Sequence, residues 1–254
     1  MQENYAAELI QKGMRIDERG ALDFRKIELK TNVINKAEGS AHVRMGNTQV
    51  LVGVKMAIGT PFPDTPGEGV LMVGAEFTPM SSPDFESGPP SPDSVELARV
   101  CDRGIRESHM IEMDKLKIND EKVWMVNVDI HIISHDGNLL DAASLASVAA
   151  LKTAKIPKVD MEKVQIILGE REGKLPIVHT PINVTVCKVG NKVILDPTKV
   201  EEGVVDSRLS IAVREDDMIC ALQKQGTKGI LIDEIEGMLE LATEKSRELR
   251  KLVQ

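Results

Sequence analysis

A chain of 254 residues with 42% apolar and 28% charged side chains is long enough to bury a substantial core and polar enough to be globular. Its aromatic content of 2% and formal charge of −8 argue against an aromatic base-stacking platform and against a free-standing basic nucleic-acid binder. The three scattered cysteines (Cys101, Cys187 and Cys220) fit reduced thiols rather than a disulfide frame or zinc site. With no signal peptide and no apolar run of membrane-spanning length, a cytoplasmic location is the expectation.

Taken in order, residues 4–13 read as a short helix that stops at Gly13. Arg15 to Arg25 is charged and poor in apolar residues, so it reads as a solvated connector. From Arg25 to Ile58 apolar residues alternate with polar ones, the period of a half-buried sheet. Met45-Gly46-Asn47-Thr48 is a hairpin turn, with Gly and Asn expected to supply the unusual backbone angles. A loop over 59–69 precedes a strand from Val70 to Phe77. A second loop, Pro79 to Pro92, carries five prolines and admits no regular structure.

Ser94 to Lys115 reads as one helix, capped by Ser94 and with Glu96 in its first turn. Arg99, Arg103 and Arg106 follow at steps of four and three, which brings them to one helix face. Two readings stand. One is a solvated face laced with salt bridges, Asp102 with Arg106 and Arg99 with Glu96 or Asp102. The other is a row of guanidiniums that grips phosphates, two oxygens at a time.

Val123 to Ile133 alternates as a strand, with Trp124, Val126, Val128, Ile130 and Ile132 on one side. Asp136-Gly137-Asn138 turns the chain. Asp141 to Lys155 is rich in Ala and Ser and reads as a buried crossover helix ended by Ile156-Pro157. After a charged stretch, strands are expected at 182–186, 192–195, 209–213 and 218–223. A terminal helix over 230–253 is expected to bury Ile232, Ile235, Met238, Leu239, Ala242 and Leu249. Strands followed by helices, twice over, predict an α+β chain in two unequal lobes, 1–175 and 176–254, with the linker near Glu170 to Pro176.

Motifs for nucleotide loops and serine nucleophiles are missing. His131 and His135 lie four apart, but in a strand and near a turn, so neither metal nor cofactor is expected. Glu201, Glu202 and Asp206 form an acidic cluster. It is open to two readings, a magnesium or acid–base site and a solvated loop.

Four stretches resemble the RNase PH superfamily of phosphate-dependent 3′→5′ exoribonucleases. They are Arg15-x-Asp17-x-Arg19 with Leu22 and Arg25; Glu38 to Val50; the arginine helix E-L-A-R-V-C-D-R-G-I-R; and Val128 to Leu151. The resemblance covers nearly the whole chain and implies an RNase PH-like fold. Within the family the chain resembles the non-catalytic ring subunits of the archaeal exosome. Active members place a phosphate-holding arginine after the D-G-x turn, where this chain has Leu139. They place two aspartates in an acidic loop, where this chain has Glu202 and Arg208. The resemblance therefore implies no catalytic residue here. It implies RNA-phosphate binding by Arg99, Arg103 and Arg106, which would line a channel completed by a partner. It also implies a hexameric ring with a catalytic RNase-PH-like sibling, RNA-binding cap subunits, single-stranded RNA as ligand, and no membrane.

Overall fold

The computed structural model describes residues 2–253. After helix α1 (Gln2–Gln11), strands β1 (Ile27–Thr31), β2 (Gly39–Met45), β3 (Thr48–Gly59), β4 (Val70–Glu76) and β5 (Val123–Ser134) form a five-stranded sheet in the order β1-β2-β3-β5-β4. The hairpin of β2 and β3 closes with Met45 opposite Thr48. Gly46 takes φ +59° there, while Asn47 is not left-handed, so glycine alone supplies the turn's positive angle. β4 runs parallel to β5, and a parallel pair needs a crossover. Helix α2 (Pro92–Glu107) supplies it.

Helix α3 (Leu139–Thr153) packs on β2 and β3 with one side and on β8 (Ile182–Val189) with the other. That double contact explains its composition. Twelve residues from Leu140 to Leu151 are buried, and only small side chains let a helix approach two layers so closely. β8, β9 (Lys192–Leu195), β10 (Ser207–Val213) and β11 (Ile219–Gly226) form a second sheet in the order β11-β10-β8-β9. Helix α5 (Ile232–Arg250) packs on β8 and β10. A single apolar core includes residues of both sheets and of α2, α3 and α5.

β8 is buried along nearly its whole length, and its two faces differ. Val184 and Val186 belong to the apolar core. Asn183 and Thr185, on the opposite face, hydrogen-bond Asp141 of α3. The inner seam between α3 and this sheet is therefore polar, and its groups are paired with one another as burial requires.

Several expectations are corrected. The arginine helix begins at Pro92 and ends at Glu107, with Ser91 rather than Ser94 as its cap. Pro92 lacks the N–H that a first-turn residue leaves unpaired, so it starts a helix without loss. Beyond Ser108 the backbone of His109 turns left-handed (φ 51°), and only a short 3₁₀ turn, Met113–Leu116, follows. α3 starts two residues before Asp141 and stops at Thr153, short of the proline. Pro157 lies instead in β6 (Lys155–Asp160), which pairs with β7 (Gln165–Lys174) and is irregular at the proline. Most of the expected linker is therefore strand. Ile232 is 84% exposed rather than in the core, because it opens α5 at the outer end.

The largest correction concerns Arg15 to Arg25. Arg15 and Arg25 are only 4% and 8% exposed. The segment has few apolar residues because its arginines, not its hydrophobes, fix it to the fold.

Candidate functional site

The acidic loop between β9 and β10 is built around buried ion pairs. Arg15 donates through Nε and Nη2 to Glu201 at 2.7 and 2.6 Å, and through Nη1 and Nη2 to the carbonyls of Leu195 and Asp196. Glu201 also accepts from the Thr198 backbone N–H at 2.8 Å, closing the capping box of the short helix α4 (Lys199–Glu202). Burial raises the Glu201 carboxyl, but the Arg15 and Thr198 hydrogen bonds outweigh it and hold the group below its ordinary value. Asp196 is fully buried. It accepts from Arg25 Nε and Nη2 at 2.9 and 2.7 Å, from the Arg25 backbone N–H, and from Arg19 Nη1 at 3.0 Å. Burial again pushes its carboxyl up, and the Arg25 bonds bring the net shift below the usual range.

The same arginine ties the loop to the Asp136-Gly137-Asn138 turn. Arg25 donates to the carbonyls of Asp136 (2.6 Å) and Gly137 (3.2 Å). Gly137 has φ +87°, and a Cβ there would lie 2.2 Å from the Pro197 carbonyl oxygen, so the two loops touch only because the residue is glycine. Asn138 is itself left-handed and 3% exposed. Its side-chain Nδ2 donates to Asp141 at 3.1 Å and to Asp196 at 3.0 Å. Asp141 accepts further bonds from Thr185 N–H, Thr185 O–H and Asn183, yet complete burial pushes its carboxyl up to about 6.

Where these loops meet, a cleft of about 140 Å³ opens beside α2. Leu139, more than 60 residues away in sequence, lines it with Glu202 and Arg208, as do Phe77, Phe85 and His135. Glu202 accepts from the Asn138 backbone N–H at 2.9 Å and lies 3.4 Å from Arg208 Nη1. Burial pushes its carboxyl up. Phe85 stacks on His135 with ring centroids 5.4 Å apart and packs at a tilt on Phe77 with centroids 4.5 Å apart. Burial, and then nearby Lys199, lower the His135 pKa, so its ring is neutral near pH 7. Leu139 adds no charge to this lining.

The acidic cluster is thus neither solvated nor a ligand set. Glu201 belongs to Arg15, Glu202 faces Arg208, and Asp206 pairs with Lys228 at 2.7 Å. Among the described residues no group of histidine, cysteine and acidic side chains is placed to hold a metal ion.

The arginines of α2 lie outside this cleft. All three are exposed. Arg99 and Arg103 line one groove of about 590 Å³ with Val95, Val100, Pro90 and Gln223. Arg106 faces a different hollow, near His109 and the loop over 59–69. Its guanidinium is held by Asp102 at 2.7 Å and also donates to the Leu71 carbonyl. Of the two sequence readings, the salt-bridged face describes Arg106. Arg106 makes the i,i+4 pair, whereas no salt bridge joins Arg99 to Glu96 or Asp102. Arg103 makes only a long contact, 3.5 Å, with Gln223.

The residues missed by sequence reasoning are Arg15, Arg25, Asn138, Asp141 and Asp196. One signal was present: the bases of 15–25 are all arginine and none is lysine, the preference of buried, bidentate pairs.

Residues 23–157 match domain 1 of the 3′ exoribonuclease family, and residues 179–245 match its domain 2. The chain is similar to the exosome complex component Rrp42 of Methanothermobacter thermautotrophicus, 47% identical over 95% of this chain and 90% of the relative. It is similar also to that of Thermococcus gammatolerans, 48% identical over 96% and 91%. Among solved structures it resembles a chain of an Archaeoglobus fulgidus exosome with RNA bound to the active site, at TM-score 0.93 and 46% identity over 100% of this chain and 98% of that one. A chain of an archaeal exosome core gives 0.87 and 43%, over 98% and 95%. The fold is RNase PH-like, and the chain belongs to the 3′ exoribonuclease (RNase PH) family, within its group of archaeal exosome ring subunits.

Proposed function

We propose that this subunit is the non-catalytic member of a hexameric ring that degrades RNA 3′ to 5′ by phosphorolysis. Three copies alternate with three of a catalytic RNase-PH-like sibling, and RNA-binding subunits cap the ring. The observation that carries this reading is the pairing of Glu202 with Arg208 in a cleft that offers Leu139 in place of an anion-holding side chain. Phosphorolysis needs phosphate held as the nucleophile, and positioning is a large part of that barrier. A carboxylate paired with a guanidinium is a poor metal ligand and a poor base.

The subunit's contribution is to bind RNA phosphates without base preference and to shape the sibling's site from the shared interface. Arg99 and Arg103 are the main contacts, because both are exposed in one groove with no carboxylate bound to them. Arg106, already engaged by Asp102, contributes less. A chain of charge −8 serves this role when a partner completes the channel, since screening leaves only nearby charges effective. The complex works in the cytoplasm on single-stranded RNA.

Release of nucleoside diphosphate from single-stranded RNA in the presence of phosphate tests the reading. The purified chain alone is expected to give none, and addition of the sibling is expected to give turnover. Product from the lone chain sinks the proposal. For the RNA-binding role, charge reversal at Arg99, Arg103 and Arg106 together is expected to weaken binding to the assembled ring and flatten its salt dependence. An unchanged affinity would remove that part of the reading.

A further inference from the structure

The loop between β4 and α2 is fastened to the acidic loop at one end and walls the groove of Arg99 and Arg103 at the other. Its first half is held at several points. Ser81 and Ser82 are buried, and the Ser81 carbonyl accepts from the His135 backbone N–H at 3.0 Å. Lys199 of α4 reaches across to donate to Ser82 Oγ at 2.9 Å and to the Asp84 carboxylate. That bond holds the Asp84 carboxyl below its ordinary value, so the pair is ionised at neutral pH. Phe85 closes this half against His135 and Phe77.

The second half has no such ties. Residues 86–90 are exposed, and among the described residues none of them makes a hydrogen bond. Ser87 and Gly88 give this span backbone freedom, so it takes its position from its two ends. One end is Asp84 and Phe85, clamped by Lys199 and His135. The other is Ser91, the cap of α2. Pro90 and Pro92, at that far end, line the groove with Arg99 and Arg103.

We propose that Lys199 and Asp84 are positioning residues for RNA: they latch the loop so that Pro90 stays a fixed wall beside Arg99 and Arg103. Neither residue touches the RNA. The acidic loop, which offers no metal-ligand set, thus acts on RNA binding through the segment it clamps. With the latch broken, a longer span must be ordered when RNA binds, and that ordering lowers affinity. The inference rests on the proposed RNA-binding role of Arg99 and Arg103.

Two assays test it. In the first, the full chain is cut with chymotrypsin after Phe85, and the fragment ending there is followed by mass spectrometry. Cutting requires the loop to leave His135, so its rate follows the opened population. Lys199→Ala and Asp84→Ala are each expected to speed it about threefold to fivefold, the range of one exposed ion pair, with melting unchanged. Exchanging the charges, Lys199→Asp with Asp84→Lys, is expected to restore the wild-type rate. The second assay is the affinity of the assembled ring for single-stranded RNA across salt concentrations. If charge alone acted, losing the Lys199 cation would weaken RNA and losing the Asp84 anion would strengthen it. Positioning predicts that both variants weaken it, by about threefold, with the salt slope unchanged, and that the exchange restores it. Equal cutting rates in wild type and both variants overturn the inference. So does an Asp84→Ala affinity equal to or above wild type, or a salt slope lowered by about one ion in Lys199→Ala. Charge reversal at Arg99 and Arg103 in the same ring assay separates the two claims. A loss there without a loss in Asp84→Ala refutes the latch alone; no loss there removes the RNA-binding reading and the latch's role with it.

Discussion

Replacing Arg15 with alanine probes the strongest tie between the N-terminal segment and the acidic loop. Arg15 and Glu201 have side chains 1% and 0% exposed, joined by two short bonds. Truncating the arginine leaves a carboxylate buried with only the Thr198 donors, and the Leu195 and Asp196 carbonyls lose their Arg15 bonds. Breaking a buried pair from one side costs about 3–5 kcal/mol. At about 2–4 °C per kcal/mol for a chain of this size, the melting midpoint falls by roughly 6–20 °C. The double variant Arg15→Met with Glu201→Leu removes both charges at similar volume and recovers most of that loss. Urea unfolding of the two single variants and the double variant gives the coupling energy. The reasoning fails if Arg15→Ala changes stability by less than about 1 kcal/mol, the range of a surface pair.

The pH profile of stability has two limbs of opposite sign. Asp196 and Glu201 titrate below their unfolded values, so their contribution is complete above about pH 5 and is lost as pH falls through the folded values. Asp141 is raised to about 6, so it takes up a proton on folding and its contribution improves as pH falls from about 6 towards about 4. Urea midpoints across this range should show the Asp141 limb disappear in Asp141→Asn, and an unchanged slope would contradict the assignment. Gly137→Ala forces a Cβ to 2.2 Å from the Pro197 carbonyl at φ +87°; it is expected to cost at least about 1–2 kcal/mol from the left-handed backbone alone, read by thermal unfolding. Ser91→Ala removes the bond to the Ser94 N–H and is expected to cost about 1 kcal/mol, without change in RNA affinity. In the assembled ring, Arg99→Ala is expected to lower the salt slope of RNA binding by about one ion, and Arg106→Ala by less, because Asp102 already neutralises it.

Periodic elements were legible in the sequence, and contacts between loops were not. Alternation located β3, β5 and β8 because one face of each meets a core, and Ala and Ser crowding located α3 because it lies between two layers. The β6–β7 hairpin escaped because charged residues dominate it and Pro157 reads as a breaker. The helix end at Glu107 escaped because apolar periodicity runs on through Met110, which is buried from a turn rather than from a helix. Arg99, Arg103 and Arg106 were visible as a spacing, but which of them is engaged depends on Asp102 and Leu71 and needs geometry. The arginines at 15, 19 and 25 looked like a solvated run because each has a buried carboxylate partner more than 170 residues away. No window of local sequence holds both halves of such a pair.

That separation also sets an order of assembly. α1 and the five-stranded sheet draw on residues up to Ser134, but the segment between them finds its buried carboxylates only at Asp196 and Glu201. During synthesis the first part of the chain is therefore made and exposed long before it can be fixed. Closing a loop of that length gains nothing until β8 and β9 have formed and carried the acidic loop into place. The N-terminal arginines therefore reach their buried carboxylates only after the acidic loop has been made. A truncated chain ending before Asp196 would keep all of its first sheet's sequence while leaving Arg15, Arg19 and Arg25 without their buried carboxylates, open to other carboxylates or phosphates.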